Sequence, residues 1–233
     1  MESLRRLVSF FTKSFLRIRS GDIDISMETK KENRITDTMK VTLRFFAAFI
    51  VYWSASVVFG ILSEQAEYGF LSEQKVYSSL AAGILEELIF RFLIITVLLW
   101  KRRDRKQMVL AWIVSTVIFA LAHGANVLYG AAIGVSIMQM ISALAMGSAF
   151  GLLFLRTRHI LPGMILHILH DLIALSEVGA TDESGLIVHG ITFASVVDLL
   201  LVIAMGIYLA RYYIREKEME KILVIWRKKN GDF

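Results

Sequence analysis

Residues 81–100 read AAGILEELIFRFLIITVLLW, an apolar run interrupted by two adjacent glutamates and one arginine. A helix of about 20 apolar residues crosses the roughly 30 Å hydrocarbon core of a bilayer. An ionised side chain at the centre of such a helix costs about 2.5–3.5 kcal/mol on insertion scales. The stretch is therefore long enough for a membrane span, and Glu86, Glu87 and Arg91 require partners or a function.

The flanking sequence repeats the apolar pattern. Of the 233 residues, 56% are hydrophobic and only 20% are charged, which is a more apolar balance than that of soluble domains. Because backbone groups in lipid must bond within their own segment, the sequence predicts an all-α, polytopic transmembrane helical bundle. About six spans are expected, at residues 41–62, 76–100, 107–129, 131–154, 160–178 and 187–210.

Charged residues between the spans predict the topology. Lys and Arg follow the second, fourth and sixth spans, whereas the opposite loops carry mainly Glu and Asp, at Glu64, Glu67, Glu73, Glu177, Asp182 and Glu183. Basic loops stay on the cytoplasmic side, so we expect a multi-pass protein of the cell (plasma) membrane with both termini cytoplasmic. The short single-domain build fits a bacterial membrane.

Three regions are expected along the chain: a cytoplasmic amphipathic helix and polar linker at 1–40, the transmembrane domain at 41–211, and a cytoplasmic helical tail at 212–233 that extends the last span. In the first region, Leu4, Phe11 and Phe15 lie opposite Lys13 and Arg17 at helical spacing. Such a helix lies at the membrane interface, and a partner-docking helix is the alternative.

Composition excludes several classes of function. The chain has no cysteine and one proline, which rules out a disulfide scaffold, a thiolate metal site and a cysteine nucleophile. The formal net charge of +5 comes from short basic blocks between apolar runs. That distribution sets topology, and no nucleic-acid partner is expected.

The polar residues inside the spans divide into two groups. Glu87 and Arg91 are four residues apart and are expected to form a structural ion pair on one helical face. Glu86 lies a further 100° round the helix, away from Arg91, and is the better catalytic candidate.

Two other predicted spans carry polar residues at helical spacing. Phe119, His123 and Asn126 share a face of the third span, and His167 and Asp171 are four residues apart on the fifth, with His170 close to the same side. A lone histidine in a span is usually an interhelical hydrogen-bonding residue, as we also expect for Asp198 and Gln139. Polar residues stacked on three separate spans favour a common site instead.

Three motifs resemble those of the CPBP family, the CAAX-protease and bacteriocin-processing membrane peptidases also called the Abi family. They are Glu86-Glu87-x-x-x-Arg91, Phe119-x-x-x-His123 and His167-x-x-x-Asp171, in that order and on different spans. The resemblance covers roughly residues 76–178. It implies an intramembrane endopeptidase that cuts a membrane-embedded or lipid-anchored peptide or protein.

The resemblance also implies roles for the site residues. Glu86 and His123 would bind and activate water, and His167 and Asp171 would stabilise the oxyanion, with Asn126 and His170 as candidates for substrate contact. The last position of the family pattern is Asn or Asp. An ionised Asp171 has no proton to donate, so it either is protonated or orients His167.

Two alternatives remain open. Glu86, His123, His167 and Asp171 could instead hold zinc, although the absence of a His-Glu-x-x-His helix favours glutamate catalysis with no cofactor. A non-catalytic membrane protein of the immunity or signalling type, such as bacteriocin self-immunity, is the alternative function. A small transporter is weaker, because no inverted repeat is visible.

Overall fold

The computed structural model describes residues 25–179 and 190–227. The predicted amphipathic helix at the N-terminus, Asp182, Glu183 and the end of the tail lie outside these residues. Within the described residues the secondary structure is helical, with one isolated β-bridge between Tyr68 and Glu177. The all-α prediction is therefore confirmed.

The helices follow one another along the chain with short connections. They are α1 (Ile25–Leu62), α2 (Glu73–Glu86), a π-helical segment (Glu87–Ile95), α3 (Thr96–Leu98), α4 (Arg105–His123), a 3-10 helix (Gly124–Tyr129), α5 (Ile133–Thr157), α6 (Leu161–Leu175), α7 (Phe193–Tyr213) and α8 (Glu216–Trp226).

Four helical segments are long and apolar enough to cross a membrane: Arg34–Leu62, Arg105–Tyr129, Ile133–Thr157 and Phe193–Tyr213. They coincide with four of the six predicted spans. The predicted span at 160–178 corresponds to α6, which is apolar but shorter. The predicted span at 76–100 corresponds to the continuous helical stretch formed by α2, the π-helical segment and α3.

Capping residues determine where several helices begin. Ser72 accepts a hydrogen bond from the backbone N–H of Lys75 at the start of α2, and Asp104 accepts one from Gln107 at the start of α4. Thr192 forms a capping box with Ser195 at the start of α7. Each cap satisfies a backbone donor that the first turn of a helix leaves free.

The contacts divide the chain into two units, residues 1–37 and 38–233. In the second unit, a buried cluster joins α1, α5, α6 and α7 through residues such as Phe49, Phe150, Leu166 and Val202. A second cluster joins Ile95, Leu99, α4 and α5 to α8. Many apolar side chains outside these clusters are exposed, as expected for helices that face lipid.

The structure corrects two expectations about the ends of the chain in detail. The polar linker expected before residue 40 is helical from Ile25 onward, where α1 begins. The tail is helical as expected but does not extend the last span, because α7 ends at Tyr213 and a separate helix, α8, begins at Glu216. Trp226 is buried in the second cluster and its indole N–H donates to the carbonyl oxygen of Leu155 at 2.7 Å.

Candidate active site

The two glutamates sit where the helical stretch changes from α to π geometry. Helix α2 ends at Glu86 and the π-helical segment begins at Glu87. Helix α4 supports this unusual segment, because the Ser115 hydroxyl donates to the carbonyl oxygen of Phe90 at 2.7 Å. π-helical insertions occur frequently at functional sites, since they alter the direction of neighbouring side chains.

Glu87 is almost fully buried, at 1% exposure, and contacts two partners. Its Oε1 atom lies 3.0 Å from Nη1 of Arg91 and 3.1 Å from Nδ1 of His167. The structure thus places Glu87 and Arg91 in contact, as the sequence predicts. It adds His167 as a second partner of Glu87, which the sequence analysis missed.

Arg91 is fully buried among aromatic rings. Its Cζ atom lies 3.8 Å from the ring centroid of Phe119 and 5.4 Å from that of Phe150. Its Nε and Nη2 atoms have no hydrogen-bond partner among the described residues, so the carboxylate of Glu87 and the faces of these rings offset its charge. Gly147 leaves room for it, because a Cβ there would lie 3.2 Å from Nη2.

His167 on α6 is held between these elements and the other carboxylates. Phe150 stacks on its ring with centroids 5.2 Å apart and an interplanar angle of 22°. Its Nε2 atom lies 3.7 Å from Oε2 of Glu86 and 3.8 Å from Oδ2 of Asp171. Neither distance is a hydrogen bond, so the second ring nitrogen of His167 stands between two acidic groups without binding either directly.

Asp171 makes no direct hydrogen bond to His167, because its carboxylate lies 3.8 Å from Nε2. The nitrogen that needs orienting, Nδ1, contacts Glu87 instead. A histidine that carries out chemistry through one ring nitrogen is commonly fixed by a hydrogen bond at the other. Glu87 occupies that position in this structure.

His123 lies at the end of α4 and is also fixed through Nδ1, which is 2.9 Å from the carbonyl oxygen of Phe119. Because a carbonyl oxygen only accepts, Nδ1 carries the proton in this contact. The other nitrogen of the neutral ring, Nε2, is then an acceptor. The ring also packs edge-on against Phe119, with centroids 4.7 Å apart.

A cavity of about 430 Å³ connects the predicted site residues. Glu86, His123, His167 and Asp171 all line it, and so do the two residues proposed to contact substrate, Asn126 and His170. Glu87 and Arg91 are not among the lining residues and lie behind His167. The volume is within the range of small-molecule and peptide-binding pockets.

Within this cavity Glu86 differs from Glu87. Its side chain is 32% exposed, but its Oε2 atom is buried and accepts no hydrogen bond from the described residues. A buried carboxylate oxygen needs a donor, and the side chains around this one supply none. Glu86 is thus placed to accept a proton or hydrogen bond from a small molecule in the cavity.

The two candidate substrate contacts have partners of their own. The Asn126 amide donates to Oε1 of Gln139 at 2.7 Å. Nδ1 of His170 accepts from the indole N–H of Trp53 on α1, at 3.3 Å. The interhelical role expected of Gln139 is confirmed, and Trp53 is a residue near the site that the sequence analysis did not single out.

Four residues that could ligate a metal, Glu86, His123, His167 and Asp171, line the cavity. Within the described ranges, 25–179 and 190–227, no group of three His, Asp or Glu side chains is arranged to hold one. The Nδ1 atoms of both histidines are engaged by Phe119 and Glu87. The Nε2 atom of His167 lies 3.7 Å from Oε2 of Glu86 and 3.8 Å from Oδ2 of Asp171, which is close to the separation of neighbouring ligands around a zinc ion with bonds of about 2.0–2.2 Å.

Comparison with known proteins identifies the segment that contains these residues. Residues 74–173 match the Rce1-like family model, which is described as type II CAAX prenyl endopeptidase Rce1-like. Neither the curated proteins nor the solved structures gave a significant match. The matched segment includes the cavity-lining motifs on α2, α4 and α6 together with Glu87 and Arg91. The resemblance to the CPBP family that the three motifs predict is therefore confirmed, and residues 74–173 of this membrane protein are similar to an Rce1-like CAAX protease domain.

Proposed function

We propose that this protein is an intramembrane endopeptidase that hydrolyses a peptide bond in a membrane-associated peptide or protein by means of a water activated by Glu86 and His123. The observation that carries the proposal is the unpartnered Oε2 atom of Glu86, buried beside a cavity that His123 and His167 also line. The match to a CAAX protease family supports the same chemistry.

Glu86 is the general base of this mechanism. It takes a proton from water as the water oxygen bonds to the scissile carbonyl carbon. The protonated Glu86 then gives that proton to the amide nitrogen as the C–N bond breaks, leaving a carboxylic acid and an amine. A positioned side chain that takes and returns a proton in this way is a general acid–base catalyst.

His123 positions the water. Its Nδ1–H is donated to Phe119, so its Nε2 lone pair accepts a hydrogen bond from a water in the cavity. Such a contact aligns the second O–H bond of the water with Glu86. Positioning of this kind lowers the entropic part of the barrier.

His167 stabilises the oxyanion that forms on the carbonyl oxygen. When its ring is protonated, Nδ1–H is donated to Glu87 and Nε2–H is directed toward the cavity. The buried carboxylate of Glu87 holds the ring in this orientation and supports its positive charge, and Glu87 is itself held by its contact with Arg91. A fixed donor aimed at the developing charge is the largest single source of rate enhancement in many acyl-transfer enzymes.

The substrate reaches the site within the plane of the membrane. The cavity lies among helices α4, α5 and α7, each long and apolar enough to span a bilayer, and the basic loops favour a cytoplasmic position for both termini. A peptide close to a lipid anchor or a chain terminus fits this location. A prenylated substrate, as the family description names, is one member of this class.

The proposal is tested by identifying a substrate and then removing the base. Membrane and secreted peptides are compared by mass spectrometry between cells that carry the wild-type protein and cells that carry Glu86→Ala. Peptides that accumulate uncleaved in the variant are then incubated with purified protein in liposomes, with and without a zinc chelator. We expect cleavage that survives the chelator, whereas loss of cleavage on chelation and its return with zinc would replace glutamate catalysis by a metal mechanism.

The same experiment separates the enzyme from a non-catalytic immunity protein. An immunity protein protects by binding, so its protective effect would persist in the Glu86→Ala cells and no peptide would change. A set of peptides that changes with Glu86 is expected only from a peptidase.

A further inference from the structure

A second polar cluster contacts the cavity and does not include any residue of the protease motifs. Asp198 of α7 lines the cavity, and its Oδ1 atom accepts hydrogen bonds from the Tyr52 hydroxyl at 3.0 Å and the Ser56 hydroxyl at 2.5 Å. Tyr52 and Ser56 are one helical turn apart on α1. The interhelical bonding expected of Asp198 is thus confirmed, but it involves only one of its two carboxylate oxygens.

The two hydroxyl groups fix the position of the Asp198 carboxylate without offsetting its charge. Among the described residues, no Lys or Arg side chain pairs with Asp198. Placing a carboxylate in an apolar span costs free energy. A carboxylate that has no counter-ion in such a span normally takes part in binding or transport. The proposed hydrolysis does not use Asp198.

Besides three histidines, the ionisable residues of the cavity wall are all acidic. Glu86, Asp171 and Asp198 are its acidic residues, and no Lys or Arg occurs among the described residues that line it. Arg91, the nearest buried cation of the site, is engaged with Glu87 behind His167. A cavity with carboxylates and no fixed cation attracts a positively charged ligand and disfavours an anionic one.

The position of Asp198 in the chain separates it from the catalytic motifs. Asp198, Tyr52 and Ser56 all lie outside residues 74–173, the segment that matches the protease family. The catalytic groups therefore belong to the matched domain, whereas this cluster belongs to the flanking helices α1 and α7. Such an arrangement suits a specificity determinant added to common chemistry.

We propose that Asp198 binds the cationic side chain of a lysine or arginine in the substrate, and so gives the protein a preference for a basic residue close to the scissile bond. This inference rests on the proposed function, because it assigns the substrate class of the same cavity. The cation would complete the coordination of the second Asp198 oxygen with a charge-assisted hydrogen bond.

A binding experiment tests the preference without depending on cleavage. The probes are three fluorescein-labelled, leucine-rich peptides that differ only in a central lysine, norleucine or glutamate. Their affinities are measured for the Glu86→Gln protein in nanodiscs. We expect the lysine peptide to bind about 10-fold or more tightly than the norleucine peptide, and the glutamate peptide to bind most weakly.

Variants at Asp198 then show whether this carboxylate is responsible. In the Glu86→Gln background, Asp198→Asn should reduce the lysine preference to within about threefold, because the amide carries no charge. Asp198→Glu should retain the preference. Glu220→Gln, which removes an exposed carboxylate from α8, is the matched control and should leave the preference unchanged.

Tyr52→Phe separates charge from packing. This variant removes one hydrogen bond between α1 and α7 but keeps the carboxylate, so the lysine preference should persist. The inference is overturned if the parent protein binds the lysine and norleucine peptides equally, if Asp198→Asn keeps the preference, or if Tyr52→Phe abolishes it as fully as Asp198→Asn does. Cleavage by the wild-type protein is measured separately, so that failure of the lysine preference and failure of the peptidase proposal are distinguished.

Discussion

The Oε1 atom of Glu87 lies 3.1 Å from Nδ1 of His167 and 3.0 Å from Nη1 of Arg91, so one buried carboxylate joins a histidine of α6 to an arginine of its own π-helical segment. This contact indicates a structural role for Glu87, the second glutamate of the motif. Glu86 faces the cavity, whereas Glu87 supports the ring that faces it. The two adjacent carboxylates therefore have different environments and different roles in the proposed mechanism.

The Glu87–Arg91 pair should show strong coupling in a double-mutant cycle. Glu87→Leu or Arg91→Met alone leaves a buried charge without its main partner, and each should lower the free energy of unfolding by about 3–5 kcal/mol. The double variant removes both charges and should be more stable than either single variant. Heating in detergent, followed by size-exclusion chromatography, gives the stability of each protein.

In that double-mutant cycle, the double variant should regain stability but should not regain cleavage activity. The double variant still lacks the group that orients His167, so its cleavage rate should remain far below that of the wild type. Additive losses of stability, or wild-type cleavage by the double variant, would contradict the role given to Glu87.

The cavity should be accessible to water although helices of spanning length surround it. The chain contains no cysteine, so single cysteines can be introduced without a background reaction. Ser142→Cys on α5 lines the cavity and should react with a charged, membrane-impermeant thiol reagent. Leu144→Cys is the matched control, because Leu144 is exposed on the same helix but is not among the lining residues.

A mass shift in intact protein measures this labelling. Ser142→Cys should be modified at least ~10-fold faster than Leu144→Cys, since only the thiolate in water reacts. Equal rates at the two positions would mean that the polar residues of α2, α4 and α6 do not surround a hydrated space.

Helix α8 should contribute to stability and not merely follow the last span. Trp226→Ala removes a side chain that is only 3% exposed, together with its hydrogen bond to Leu155, and should cost about 3–5 kcal/mol. Val224→Ala on the same helix is the control, because Val224 is 64% exposed. If both variants melt at the wild-type temperature, α8 does not pack on the bundle as described.

The sequence predicts the motif residues better than it predicts their contacts. Glu86, His123, His167 and Asp171 could be assigned to one cavity because ionisable residues in apolar spans are costly and their motifs lie on separate helices. The contact between Glu87 and His167 could not, since it depends on how closely α2 approaches α6. A Cβ on Gly83 would lie 3.0 Å from the backbone nitrogen of Ile168, and that distance is a property of packing, not of spacing along the chain.

The packing of the C-terminal helix α8 was also not predicted from the sequence. Alternating Glu and Lys at residues 216–221 indicated a solvated tail, but Met219, Ile222 and Trp226 recur at helical spacing and form the buried face of α8. That apolar stripe was a signal in the sequence that the charge pattern obscured. The polar cluster of Tyr52, Ser56 and Asp198 is different, because it joins helices that are far apart along the chain.

The most direct test of the proposed mechanism is the cleavage rate of the Glu86→Gln protein, reconstituted in liposomes, on a peptide that the wild type cleaves. Gln has the size of Glu but cannot accept the proton of water, so the rate should fall by at least ~100-fold while the protein melts at the wild-type temperature. Cleavage by Glu86→Gln at the wild-type rate would contradict the assignment of Glu86 as the base.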